Sequence, residues 1–324
     1  MRTFIINLLS GIALCFLLTF STELKAAPYS FQEIWAYVLK GEENHLKGSE
    51  PISDLAYFSA AVNELGRLSK IPDPSKIPEK VRSDKRLHLV ISTPSNISLM
   101  YWCLSKDQET RKLLIEDILK AAEPFDGLQI DFETVRVEES QAYLSFLKEL
   151  KTRLPSKKIF SVAVPARTAE KEDAFNYSKI AAIADRVLVM AYDEHWRTGS
   201  PGAIASLPWC KKVFLFSKKM IPTHKLVMGI PLYGRVWQKQ EVARALKYPE
   251  TLALWKKHPS PLDRTPDGTP YFEYEETVNA SVYFEDVQSL KSKIAYYEEE
   301  HLEGVGFWRV TQEPNALWSL LRLE

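Results

Sequence analysis

Strand-length apolar runs alternate with segments of helical spacing along most of this 324-residue sequence. That alternation restricts the fold more than any other feature. Runs at 33–39, 54–62, 86–91, 125–133, 159–164, 186–191, 226–232 and 304–308 read as strands. The segments 108–122, 137–154, 169–184, 207–220 and 286–299 have the spacing of amphipathic helices. In the second of these the stripe is Tyr143, Phe146, Leu147, Leu150 and Leu154, and Pro155 ends it. Strands that alternate with helices predict a parallel sheet, because parallel neighbours need a long crossover. Eight of them predict an α/β fold closed into a (β/α)₈ TIM barrel. The alternative is a doubly wound open sheet, but no Gly-rich phosphate loop follows the first strand to support it. Residues 66–84, with Pro72, Pro74 and Pro78, read as a loop. Between strands seven and eight the spacing breaks at 238–285. A helical piece at 241–256, a Pro-rich loop at 259–270 and extended runs at 271–274 and 280–284 predict a small α+β insertion there.

The fourth run carries the chemistry. On a strand from Phe125 to Glu133, Leu128, Ile130 and Phe132 share one face, and Gln129, Asp131 and Glu133 share the other. Burying unpaired carboxylates is costly, so this face either meets water on an edge strand or is retained for catalysis. Asp131 and Glu133 are two residues apart, about 6.6 Å along the backbone. Like charges that close push one carboxyl pKa upward and leave a proton available at neutral pH, which is what a general acid needs.

Asp126-Gly127-x-x-x-Asp131-x-Glu133 resembles the D-G-x-D-x-D-x-E signature of glycoside hydrolase family 18, the chitinase-like hydrolases. Three further stretches are similar to that family's motifs, in the same order: Met190-Ala191-Tyr192-Asp193, Gly229-Ile230-Pro231-Leu232-Tyr233-Gly234-Arg235 and Gly304-Val305-Gly306-Phe307-Trp308. The Tyr192-Asp193-Glu194-His195-Trp196 and Val282-Tyr283-Phe284-Glu285-Asp286 stretches look most like the bacterial branch related to spore-cortex peptidoglycan hydrolases. The resemblance implies hydrolysis of β-1,4-linked N-acetylglucosamine glycans, chitin oligomers or peptidoglycan, with the substrate's own N-acetyl carbonyl as nucleophile. It also implies roles: Glu133 as acid and then base, Asp131 on the acetamido N–H, and Tyr192 on the acetamido oxygen. Asp126, Gln129, Tyr37, Met190, Asp193, Tyr233, Arg235 and Trp308 would bind or support the sugar. The loop Glu194 to Arg197 reads equally as a sugar platform or a solvated loop.

Two departures from the family pattern stand out. Gln129 occupies the position of the middle Asp, and a neutral amide cannot share a proton with Asp131, so a shifted pH optimum or a lower rate is expected. The third strand continues Ser92-Thr93-Pro94-Ser95 where many members have a Gly pair, which bears on cleft shape. A non-catalytic glycan-binding member is the alternative function; such members usually lose the acid, which is present here as Glu133.

Composition narrows the rest. Lys+Arg and Asp+Glu both total 42, so there is no electrostatic footprint for nucleic acid or an anionic membrane. Arg2, an apolar run from Phe4 to Phe20 and Leu24-Lys25-Ala26 before Ala27 read as a cleaved signal peptide at 1–26, with no stable membrane span afterwards. A secreted or periplasmic monomer, 27–324, is expected. Cys15 leaves with the leader; Cys103 and Cys210 read as buried free thiols, with a disulfide the alternative. Six scattered His and no CxxC predict no metal site, and no cofactor is implied.

Overall fold

The computed structural model describes residues 28–93, 97–200, 202–238, 248–264, 270–275 and 280–324; the expected leader lies outside the described residues. The parallel strands are β1 (Glu33–Leu39), β2 (Asp54–Val62), β3 (Arg86–Ser92), β4 (Gly127–Asp131), β5 (Ile159–Pro165), β6 (Arg186–Met190), β7 (Leu226–Pro231) and β8 (Gly304–Trp308). Each pairs with the next, and β8 pairs with β1, from Gly304 against Glu33 to Phe307 against Ala36, so the ring is closed as the alternation predicts. Closure removes the edge-strand reading of the acidic run. On one side β4 pairs with β3 from Gly127 opposite His88 to Asp131 opposite Ser92, and on the other it pairs with β5.

Apolar stripes wrap the ring. The helices are α1 (Glu79–Arg82), α2 (Ile97–Leu104), α3 (Glu109–Ala121), α4 (Ser140–Arg153), α5 (Tyr177–Ile183), α6 (Leu207–Met220), α7 (Tyr248–Lys257) and α8 (Val287–Glu299). Leu128, Ile130 and Phe132 face outward and are buried, and Phe132 stacks on Tyr143 and Phe146 of α4 at 6.3 and 5.7 Å between ring centres. Each such side chain contributes roughly 1.5–3 kcal/mol by leaving water. The helix expected at 169–184 is shorter: only α5 forms. Before it, Arg167 pairs with Asp173 and donates to the Phe175 carbonyl, which holds that stretch as a loop. Asn176 then starts the helix by accepting from the Lys179 N–H at 3.0 Å.

Between β7 and β8, Arg235–Gln238 pairs antiparallel with Ala280–Tyr283, and Asp263–Arg264 pairs with Pro270–Tyr271. With α7 these form a small α+β insertion. The expected helical piece at 241–256 is seen from Tyr248 onward; its earlier residues, and part of the Pro-rich loop, lie outside the described residues. Of the run at 271–274 only Tyr271 is strand. Cys103 and Cys210 are both free and buried, and burial pushes their thiols up to about 11 and about 12, so they stay protonated and inert. Among the described residues no helix is long and apolar enough to cross a membrane.

The inside of the ring is layered. Trp35, Tyr37, Ala56, Val90, Leu188 and Val227 form an apolar plug, with Phe58, Met190 and Trp308 packed on it. Gly306 makes room for it: a Cβ there would lie 2.9 Å from Leu188 and 3.5 Å from Trp35. Towards the N-terminal ends of the strands lies a polar layer that the periodicity does not reveal. Arg86 grips Asp54 through two bonds of 2.7 and 2.6 Å and reaches Glu33 at 2.8 Å. Arg186 binds Glu33 at 2.8 and 2.7 Å, and His88 Nε2 lies 2.8 Å from Asp54. The His88 ring explains Gly127, where a Cβ would fall 2.1 Å from Nδ1.

Burial alone would raise both carboxyls of this layer. Hydrogen bonds from Arg186 to Glu33, and from His88 and Arg86 to Asp54, outweigh it and hold both below the usual carboxylate range. Carboxyls depressed in the folded state stabilise it above their unfolded pKa values, near 4, and that contribution is lost as pH falls further. Asp54→Ala leaves Arg86 and His88 without their shared acceptor. It should cost about 3 kcal/mol at pH 7, the low end for a broken buried pair because Arg86 is partly open to solvent. Urea unfolding at pH 7 and pH 3 checks this: the gap between variant and wild type should shrink at pH 3.

Candidate active site

The acidic column climbs the inner face of β4 towards the C-terminal mouth. Gln129 is wholly buried; its Oε1 accepts from the Tyr37 hydroxyl at 2.5 Å and its Nε2 donates to Ser161 Oγ at 3.2 Å. Asp131, one layer up, is 5% exposed, and its Oδ1 is buried with no hydrogen-bond partner. Burial first, and then the charge of Glu133, push its carboxyl up to about 8. Glu133 reaches the solvent-open mouth, where desolvation by the surrounding walls and then the charge of Asp193 raise its pKa. The proton-retaining environment expected from the spacing is present, with one change of cause. Burial, more than repulsion between the two acids, raises both groups, and the charge acting on Glu133 is that of Asp193.

The strand ends bring most of the other candidates to the same mouth. Tyr192 and Asp193 follow β6. The Tyr192 ring turns towards β7, where a Cβ on Gly229 would sit 3.0 Å from it, so this glycine yields the space the ring needs. Asp193 adopts left-handed backbone, φ 59°, a conformation Asp tolerates better than most residues. Its Oδ1 accepts from the Tyr233 hydroxyl at 2.5 Å and from Arg235 Nε and Nη2 at 3.1 and 2.7 Å. Tyr192 and Tyr233 meet edge to face, 6.3 Å apart. Trp308 ends β8 half-buried, 5.1 Å from the Tyr37 ring and 5.0 Å from Phe58.

A cavity of about 350 Å³ opens here, lined by Glu133, Pro165, Ala166, Met190, Tyr192, Asp193, Glu194, Trp196 and Trp209. Two residues of the Glu194–Arg197 loop belong to its wall, Glu194 and Trp196, the latter 58% exposed. His195 turns away: its Nδ1 lies 2.9 Å from the Ala203 carbonyl and its ring fills the space over Gly202. Glu194 accepts from the Ser206 N–H at 2.7 Å and so anchors the start of α6.

Asp126 is not brought to the mouth. It precedes β4, about 23 Å of extended chain from Glu133, and its carboxylate accepts the Leu87 N–H at 2.9 Å. It pins β3 to β4 at the far end of the barrel and is corrected here from sugar-binding to structural. Gln129 and Tyr37 are sealed beneath Asp131 and support the column from below. Pro165, Ala166 and Trp209 were missed because β5 and α6 carry no polar pattern that marks them as lining a site.

Comparison with known proteins identifies the family. The profile of glycosyl hydrolases family 18 matches residues 31–313. The chain belongs to that family. This family 18 barrel is 30% identical over 287 residues to a cortical fragment-lytic enzyme of Bacillus cereus, covering 82% of this chain and 66% of that relative's length. The spore cortex-lytic enzyme SleL of Bacillus cereus superposes with a TM-score of 0.73 at 26% identity, over 92% of this chain and 76% of that one. A chitinase from Chromobacterium violaceum shares the fold, with a TM-score of 0.68 at 19% identity over 89% and 97% of the two chains.

The raised carboxyl of Asp131 has a consequence for stability. A carboxyl whose folded pKa lies above its unfolded value favours the fold at low pH and loses that contribution as pH rises towards about 8. Asp131→Asn removes the titration. Its urea midpoint should rise relative to wild type between pH 5 and pH 8.5; a gap independent of pH would mean that Asp131 titrates as it does in the unfolded chain.

Proposed function

We propose that this family 18 chain is an exported glycosidase that cleaves β-1,4-linked N-acetylglucosamine-containing glycans by a substrate-assisted, retaining mechanism. The observation that carries the proposal is the commitment of the carboxylates around the cavity. Asp193 is engaged by Tyr233 and Arg235, Glu194 by the backbone of Ser206, and Asp131 lies on the same chain segment as Glu133, two residues before it. Among the described residues around the cavity, none of these is free to stand across the sugar from Glu133, which favours substrate assistance over a double displacement on a protein carboxylate. The nucleophile is then the acetamido carbonyl of the substrate.

In this reading Glu133, whose carboxyl burial raises, gives its proton to the leaving glycosidic oxygen while the C1–O bond breaks. The acetamido oxygen closes on C1, guided by the Tyr192 hydroxyl. The unpartnered Oδ1 of Asp131 accepts the acetamido N–H. The reactive form carries Asp131 as the carboxylate, whose charge stabilises the positive charge that builds on the oxazolinium ring. Glu133 then takes a proton from water as water attacks C1 and opens the ring, restoring the β configuration. Trp308 supplies the apolar floor under the sugar.

The names of the cortex-lytic relatives favour peptidoglycan-derived glycans over chitin as substrate. The expected leader at 1–26 supports action outside the cytoplasm. We assign 27–324 to the catalytic unit.

Glu133→Gln should lower turnover of a chromogenic N-acetylglucosamine oligomer and of purified peptidoglycan by about 10²–10⁴-fold, with binding retained. Wild-type product should first appear in the β configuration. Binding with no turnover by either protein would favour the glycan-binding alternative. Because burial raises Glu133, the alkaline limb of kcat should lie above the ordinary Glu pKa. Gln129→Asp places a second titrating group beneath Asp131 and should move the pH–rate profile; an unchanged profile would show that the amide is catalytically silent.

A further inference from the structure

The regular ladder stops short of the residue that matters most. The last β3–β4 rung is Ser92 opposite Asp131, and the last β4–β5 rung is Ile130 opposite Val162. Phe132 and Glu133 therefore project past the sheet. Phe132 is held by its ring packing, but among the described residues no side chain hydrogen-bonds the Glu133 carboxyl. The place of that carboxyl depends on its backbone.

One side chain continues the ladder where the backbone does not. Thr93, the residue after the last β3 rung, donates its hydroxyl to the Asp131 carbonyl at 3.3 Å and accepts the Glu133 N–H at 2.7 Å. A hydroxyl can donate and accept at once, so a single oxygen closes a rung on both ends of the Asp131–Glu133 segment. We propose that Thr93 is a positioning residue for the general acid: its hydroxyl fixes the backbone of Glu133 relative to Asp131, and so the carboxyl relative to the glycosidic oxygen. This assignment rests on the glycosidase reading above. It is specific to the way the third strand ends here, since Thr93 opens the Ser92-Thr93-Pro94-Ser95 departure noted in the sequence.

A misplacement of about 1 Å at a reacting group can cost about 10²-fold in rate. Thr93→Val keeps the shape and the β-branch but deletes the hydroxyl, while Thr93→Ser keeps the hydroxyl. The Val variant should lose about 10- to 100-fold in kcat with KM within about twofold, and its alkaline limb should move as the Glu133 environment loosens. The Ser variant should stay near wild type. Amide hydrogen exchange at Glu133, read by NMR, should speed up in the Val variant alone, and circular dichroism confirms that all three chains are folded.

Unchanged kcat in the Val variant, or equal losses in Val and Ser, would overturn the positioning role. Unaltered exchange at the Glu133 amide would overturn the contact itself. An inactive wild type would count against the glycosidase reading, and the exchange measurement would still decide the Thr93 contact.

Discussion

Ring closure is the constraint on which the rest depends. Once β8 pairs with β1, the inner faces of eight strands enclose a space with almost no access to water, and every polar group placed there must find a partner or pay for its absence. At the N-terminal end the chain meets this demand fully for Glu33 and Asp54, through Arg86, Arg186 and His88. In the middle it avoids the demand with the apolar plug around Trp35 and Leu188. Near the mouth it leaves the demand unmet at Asp131 Oδ1.

That contrast gives the acidic column its meaning. A chain able to satisfy two buried carboxylates so completely leaves a third without a partner one layer below the cavity. The unmet acceptor and the raised carboxyl share one cause, desolvation, and both suit a group that waits for a substrate N–H and a developing positive charge. Beneath it, the Tyr37–Gln129–Ser161 chain is neutral and hydrogen-bonded from end to end, so the orphaned acid sits on a support that neither donates nor absorbs charge.

Much of this was legible in the sequence, and what was not has identifiable reasons. The period-two alternation of Leu128, Ile130 and Phe132 against Gln129, Asp131 and Glu133 predicts the two faces of β4 because strand geometry is local. The motif resemblance does not locate Asp126: it includes the residue in the signature but does not say that it sits before β4, at the end of the barrel away from the mouth. Local spacing fails before α5, where the local pairing of Arg167 with Asp173, six residues apart, holds a loop that helical periodicity does not register. The polar layer of Glu33, Asp54, Arg86 and Arg186 is scattered over four strands, so no window of sequence contains it. Thr93, Pro165, Ala166 and Trp209 are ordinary residues made functional candidates only by position.

The sequence by itself determined the strand–helix order, the closed barrel, the identity of the acid strand and the family, because these follow from local periodicity and short motifs. Tertiary structure alone decided which carboxylates are free. Asp193 is tied to Tyr233 and Arg235, Glu194 to Ser206 and Asp126 to Leu87, while Asp131 and Glu133 stay uncommitted. Desolvation and hydrogen bonding between distant segments set that division, and neither exists until the ring has closed.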